Sequence, residues 1–277
     1  SDPDADRVGA AVKNNEGEWV LLNGNQTALM FVYYLIIRWK ELGKINGKEY
    51  IVKTIVTTET IKTIAERNGV EMYDVYTGFK WIANVMRENE GKKNYIGGGE
   101  ESYGFLCEDF VRDKDAVSAC VILAEIAAWA KDQGLSLYQL LQKIYVEYGF
   151  SKEKGISVVK KGKSGAEEIE AMMKKFRENP LTEIAGSKVT YFYDYSTLKG
   201  KDYAENETVT LDMPTTSNVL QYFTEDNTKV SIRPSGTEPK IKFYCEVHSK
   251  VKSIDELPEA EKAAEEKINQ IKASLGI

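Results

Sequence analysis

Asp2, Asp4 and Asp6 alternate with Pro3 and Ala5 ahead of Arg7. Three carboxylates converging from one short turn offer the hard oxygen donors that Mg²⁺ takes, often together with a substrate phosphate. Two other aspartate loops are excluded by their neighbours. An EF-hand needs glycine where Arg7 stands and glutamate where Lys13 stands. A haloacid-dehalogenase loop needs a preceding strand and threonine or valine in place of Ala5. A metal loop needs structure ahead of it to fix its geometry, so the sequence is expected to be the back portion of a longer protein.

A second constellation is Arg233-Pro234-Ser235-Gly236-Thr237-Glu238-Pro239, set between two strand-like runs. Glycine permits a backbone that aims successive N–H groups at one point, a nest for an anion. Ser235 and Thr237 add hydroxyl donors, and Arg233 supplies a planar fork for phosphate. The competing reading is a hairpin loop whose hydroxyls cap their own backbone; four phosphate-friendly residues in five positions favour the clamp. In Gly97-Gly98-Gly99-Glu100-Glu101-Ser102-Tyr103-Gly104 the glycines allow close backbone approach to a ligand, and Glu100 and Ser102 suit sugar hydroxyls. Read alone, that segment is equally a flexible turn after a strand. Thr77-Gly78-Phe79-Lys80 opens a helix, where unpaired N–H groups favour an anion within reach of Lys80. Arg112, Asp113, Lys114 and Asp115 precede another helix, with Asp115 placed to cap it.

These loops need a frame. The 277 residues suit two compact domains, and 42% hydrophobic with 29% charged residues marks an ordinary globular chain. A net charge of −6 weighs against broad nucleic-acid binding. Cys107, Cys120 and Cys245 are odd in number and widely spaced, which fits a reducing cytoplasm rather than a disulfide framework or zinc site. No leader is apparent. The longest apolar run, Ala28 to Ile37, is ten residues, too short for a bilayer, and reads as a buried helix.

The pattern predicts a hairpin around residues 14–17 and then strands and helices in alternation. Helices are expected at about 26–42, 61–68, 79–90, 116–131 and 137–148, with strands at 50–57 and 94–96. That order implies a mainly parallel, mixed α/β sheet. Composition shifts near Gly149–Gly155. Beyond it, strands at 156–160, 189–195, 208–211, 229–232 and 241–247 and helices at 166–178 and 258–275 indicate an α+β domain with one wet sheet face. His248 reads as an exposed strand-end residue without a partner.

In order, D-P-D-A-D-R, T-G-F-K, G-E-E-S-Y-G and R-P-S-G-T-E-P resemble the α-D-phosphohexomutase superfamily, the phosphoglucomutases and phosphomannomutases. The resemblance spans essentially the whole chain. It implies the end of the metal-binding second domain in residues 1–25, the third, sugar-binding domain in 26–150, and the fourth in 151–277, with a TATA-binding-protein-like fold. The implied reaction interconverts hexose 1-phosphate and hexose 6-phosphate of glucose or mannose through a 1,6-bisphosphate and an enzyme phosphoserine. Asp2, Asp4 and Asp6 would hold Mg²⁺; Glu100 and Ser102 would grip sugar hydroxyls; Arg233, Ser235, Gly236 and Thr237 would anchor the idle phosphate. Lys80 and Lys114 would contact phosphate or assist proton transfer.

Two departures stand out. A T-A-S-H-N-P-like nucleophile loop does not occur, since the one histidine is His248, so the sequence is expected to be inactive without its missing N-terminal domains. Glu101, Tyr103 and Gly104 differ from the G-E-M-S-G-H of phosphomannomutases, which favours a phosphoglucomutase or a phosphopentomutase. A non-catalytic phosphosugar-binding module is the alternative of another class. Neither nucleic acid nor membrane is expected as a partner.

Overall fold

The computed structural model describes every residue except Lys161 and Thr237, and only the backbone of Gly162 and Lys163. Two compact units emerge: Ser1–Phe150 with Val251–Ile254, and Ser151–Lys250 with Asp255–Ile277.

The first unit begins with the predicted hairpin, β1 (Ala10–Lys13) and β2 (Trp19–Leu22), paired antiparallel. Helix α1 (Gly24–Glu41) follows. Asn23 caps it by accepting from Gln26 N while the Gln26 side chain returns to Asn23 N, a full capping box. That box starts the helix two residues before the apolar run suggests. Residues 27–36 of α1 are buried all round, as expected of a core helix.

The central sheet runs β4 (Glu71–Val75), β3 (Glu49–Thr54), β5 (Asn94–Gly99), β6 (Phe105–Cys107). β3 is parallel to β4 and β5, and β6 closes the edge antiparallel. Every β3 residue is buried, Glu49 and Lys53 included, as expected of a central strand covered on both faces. Tyr50, Val52 and Tyr95 pack with Phe79, Ile82 and Met86 of α3 (Phe79–Asn89). On the alternate residues, Leu35 of α1 meets Gly97 and Phe31 stacks on Phe105 at 4.5 Å. Helices α2 (Thr60–Arg67), α4 (Ala116–Asp132) and α5 (Leu137–Tyr148) pack around α1.

β5 extends through the three glycines, which were expected in a loop. A Cβ would stand 2.3 Å from Val52 O at Gly98 and 2.5 Å from Phe105 Cδ2 at Gly99. The glycines admit neighbouring strands and rings, not a ligand. β4 and β6 escaped the sequence reading because β4 carries Glu71 and Asp74 and β6 is three residues long.

The second unit is a large sheet ordered β11-β10-β9-β12-β13-β14-β7, with β8 beside β9. Its strands are β7 (Phe150–Val159), β8 (Glu183–Ile184), β9 (Ser187–Asp194), β10 (Lys199–Asp202), β11 (Glu207–Thr210), β12 (Leu220–Thr224), β13 (Lys229–Pro234) and β14 (Lys240–Ser249). Helices α6 (Gly162–Glu178) and α7 (Leu257–Leu275) pack on β14. As the alternation predicts, Ile241, Phe243, Cys245 and Val247 are buried, and Phe176 of α6 meets Phe243 edge-on.

The opposite face is less wet than expected. Lys229 and Glu246 are both buried and lie 3.0 Å apart. His248 corrects its reading as partnerless, since its Nε2 is 2.8 Å from Glu246 Oε1. Among the described residues no helix is long and apolar enough to cross a membrane.

Candidate functional site

In an open parallel sheet, loops leaving the carboxyl ends of the strands share one edge and form the ligand crevice. β4 ends at Val75 and leads to Thr77-Gly78-Phe79-Lys80; β5 ends at Gly99 and leads to Glu100. Because both strands are parallel to β3, the two motifs must emerge together. Glu100, 7% exposed, accepts Gly78 N at 2.9 Å through Oε1. Gly78 precedes α3 with φ 108° and no capping side chain, so Glu100 takes the part of an acceptor from the adjoining loop.

The aspartate loop joins the same place. Arg7 forms an antiparallel bridge with Gly104, Val8 N donates to Tyr103 O, and Ala116 N donates to Ala5 O. Tyr103 (φ 72°) and Ala5 (φ 55°) both sit in the left-handed region, a strain that persists where surrounding contacts dictate the backbone. Gly24 is part of that enclosure, since a Cβ there would stand 2.7 Å from Tyr103 N and 2.0 Å from Glu101 O.

Lys114 ties the loops together. Its Nζ is 2.9 Å from Asp6 Oδ2, 3.7 Å from Asp113 Oδ1 and 6.0 Å from the Phe79 ring. Burial pushes its pKa down, but the bond to Asp6 and the fields of Asp113 and Glu100 outweigh this and raise it. Lys114 is therefore a fixed cation. Its stem passes over Gly104, where a Cβ would lie 2.5 Å from Lys114 Cδ and 3.2 Å from Glu100 Oε2. Asp115 caps α4 by accepting Ser118 N at 2.7 Å, as its position in the sequence implies.

The aspartates differ from the expected convergence. Among the described residues no three acidic, histidine or cysteine groups gather closely enough to hold a metal. Asp2 turns back on its own loop, Oδ1 accepting Asp6 N at 3.2 Å and Arg7 N at 3.1 Å. Burial raises its pKa, and these N–H bonds more than offset that, so the carboxyl is held below its usual range. Asp6 is drawn to Lys114, and its other oxygen, Oδ1, is buried with no hydrogen-bond partner. All-carboxylate donors and one orphaned oxygen suit a hard divalent cation, while the loop as it stands keeps the donors apart.

Ser102 is partly exposed beside Glu100. Lys80 is exposed at the start of α3, its Nζ 5.1 Å over the Trp81 ring. Glu101, which the sequence reading left without a role, accepts from Thr54 Oγ1 through its carboxylate and donates its backbone N–H to Thr57 Oγ1, fixing the loop to the end of β3.

In the second unit β13 carries Arg233 to the mouth of the Arg-Pro-Ser-Gly loop. Ser235 N donates to Lys240 O at 2.7 Å, and Ser235 Oγ accepts Glu238 N at 3.3 Å, so the self-capping part of the hairpin reading holds for Ser235. Gly236 is exposed with open space around it and does not use positive φ, which corrects the reason given for that glycine. Thr237 lies outside the described residues. The register adds a residue missed in sequence: Lys242 is the cross-strand partner of Arg233, and opposed residues of an antiparallel pair project to one face. The signal was present in the Lys240-Ile241-Lys242 alternation after the loop.

Family models agree with this division. Residues 23–148 match "Phosphoglucomutase/phosphomannomutase, alpha/beta/alpha domain III" and residues 157–264 match "Phosphoglucomutase/phosphomannomutase, C-terminal domain". The phosphoglucomutase of Staphylococcus aureus (strain MRSA252) is 38% identical over 244 residues, 88% of this chain and 43% of that protein. That of Staphylococcus haemolyticus (strain JCSC1435) is 34% identical over 248 residues, 90% of this chain and 44% of that protein. The chain thus spans less than half the length of these relatives. In fold it is similar to the open form of parafusin, a phosphoglucomutase from Paramecium, with TM-score 0.60 and 18% identity, covering 91% of this chain and 40% of that one. A phosphoglucomutase/phosphomannomutase family protein from Burkholderia thailandensis gives TM-score 0.57 at 16% identity, covering 99% and 45%. With two consecutive family domains matched and the Gly97–Gly104 and aspartate motifs packed around Lys114, the chain belongs to the phosphoglucomutase/phosphomannomutase family.

Proposed function

We propose that the chain is the sugar- and phosphate-gripping part of a phosphoglucomutase that exchanges phosphate between the 1- and 6-positions of a hexose. The reading passes through a bisphosphorylated sugar and a phosphoserine carried on a region this sequence does not contain. The supporting observation is the meeting of Glu100, Gly78, Lys114 and Asp6 within one unit. Glu100 accepts from sugar hydroxyls through charge-assisted bonds, and Ser102 adds a hydroxyl. Lys114 and Lys80 present ammonium groups to phosphate or hold the proton of the reacting hydroxyl. Arg233, Ser235, Gly236 and Thr237 anchor the idle phosphate.

Asp2, Asp4 and Asp6 are the residues that would hold Mg²⁺, which supplies charge neutralisation and orientation to a transferring phosphoryl group. Residues 1–25 then end the preceding, metal-binding domain. Three widely spaced cysteines fit a cytoplasmic setting.

The test is a coupled assay of the longer, serine-phosphorylated protein with glucose 1-phosphate, mannose 1-phosphate and ribose 1-phosphate. Conversion of a hexose phosphate is expected, with Glu100→Gln lowering kcat/KM by about 10- to 150-fold, the worth of one charge-assisted bond. Turnover of ribose phosphate alone would make it a phosphopentomutase, and binding without turnover of any would make it a phosphosugar-binding module.

A further inference from the structure

A buried charge that no step of the reaction uses lies beneath the crevice of the first unit. Lys53, the last residue but one of β3, is 1% exposed. Its ammonium carries three N–H groups and meets three oxygens: Asp74 Oδ1 at 2.6 Å, Glu59 Oε1 at 2.9 Å and the Thr57 carbonyl at 3.4 Å. Register sets Lys53 beside Asp74 of β4 on one side and Gly99 of β5 on the other. Thr57 passes the connection on, since its Oγ1 accepts Glu101 N at 3.2 Å and lies 2.8 Å from Thr54 Oγ1. Its neighbour Thr58 donates its N–H to Asn25 Oδ1 at 3.0 Å, which ties the same turn to α1.

Glu100 is thereby held from three directions. Gly99 before it pairs with Lys53, and Glu101 after it hangs on Thr57. Gly78, which donates to its carboxylate, leaves the strand that carries Asp74. Stability alone does not account for the buried pairs, because apolar groups of similar volume in their place are often neutral or stabilising. An ammonium with directional, charge-assisted partners instead selects one arrangement of the ends of β3, β4 and β5. We propose that Lys53 is a positioning residue for Glu100, fixing through Asp74 and Thr57 where that carboxylate stands relative to Gly78. The inference rests on the sugar-gripping reading of Glu100 above. Lys53 itself touches no sugar; its effect arrives through the two loops.

Amide hydrogen exchange on the 277-residue chain reads the positioning without any substrate. In Lys53→Met, Gly78 N–H and Glu101 N–H are expected to exchange about tenfold faster relative to the amides of α1 and α3. Asp74→Asn weakens the same pair from its more exposed end and is expected to speed Gly78 exchange should Lys53→Met unfold. In the longer, serine-phosphorylated protein, Lys53→Met is expected to raise KM for glucose 1-phosphate about tenfold while kcat holds. A merely weakened fold would lose active enzyme and lower kcat at constant KM. Unchanged exchange at these amides in the variant that folds, faster exchange spread evenly over the unit, or a fall in kcat alone overturns the positioning. Absence of glucose 1-phosphate turnover in the parent overturns the functional reading instead, and the exchange measurement still decides what Lys53 holds in place.

Discussion

Lys242 offers a test in which binding and stability move in opposite directions. It faces Arg233 across β13 and β14, two like charges on one face of the sheet beside the Arg233–Pro239 loop. Like charges directly opposed on neighbouring strands destabilise a sheet by about 0.2–1 kcal/mol. Glu238 pairs with neighbouring Lys240 at 2.7 Å and also feels the charge of Lys242, and an anion between Arg233 and Lys242 would offset the repulsion that remains. Lys242→Gln relieves that repulsion without shortening the strand. The expected outcome is equal or slightly higher stability, by a few tenths of a kcal/mol. If phosphate lies between the two side chains, affinity falls by about 1.5–3 kcal/mol, roughly 10- to 150-fold.

Calorimetric titration of glucose 1,6-bisphosphate into the chain, with thermal unfolding of the same samples, separates the two effects. The parent's affinity should weaken with salt more steeply than the variant's, because one fewer charge is being screened. Unchanged affinity in Lys242→Gln would refute the placing of phosphate between these residues. Loss of affinity together with a lower melting temperature would show that Lys242 supports the strand rather than the ligand.

Other consequences follow from particular contacts. Gly98→Ala should cost about 1–3 kcal/mol in urea unfolding, since its Cβ would meet Val52 O at 2.3 Å, whereas Gly236→Ala, in open space without positive φ, should stay within about 0.5 kcal/mol. For His248, burial lowers the pKa but Glu246, 2.8 Å away, outweighs it and raises the value above the usual one. A raised folded-state pKa contributes stability that is full below about pH 6.5 and is lost as pH rises through the folded value. With Glu246, Glu153 and Lys229 all acting on the ring, melting of His248→Asn should show a flatter pH dependence than the parent as pH rises above about 6.5; identical profiles would discount the pair.

The elements legible in the sequence were those whose signals are local. Asp115 caps α4, Ser136 and Gln139 form a capping box at α5, and the apolar run in α1 is buried from Ala28 to Ile36. Each can be read within a few residues. β4 and β12 were not legible. β4 is only partly buried and takes its place from pairing with β3; β12 is a five-residue strand fixed between β9 and β13. A short strand whose partners are distant carries little information of its own.

The same division governs the site. Donor types were readable because chemistry clusters in sequence: three aspartates in five residues, or Arg233 with Ser235 two positions on. Pairings were not readable, because they depend on register between distant segments. Lys114 and Asp6 are 108 positions apart and meet only because Arg7 bridges Gly104 and Ala116 N bonds Ala5 O. Glycine illustrates the limit most sharply. Gly97, Gly98, Gly99 and Gly104 stand in one eight-residue segment, yet the first three admit core strands and rings, and of the four Gly104 alone borders the side chains of Lys114 and Glu100. Composition cannot separate those uses; the direction in which the missing Cβ would point does. Gly104→Ala is therefore the substitution in that segment expected to disturb Lys114 and Glu100 first, while Gly98→Ala disturbs the sheet.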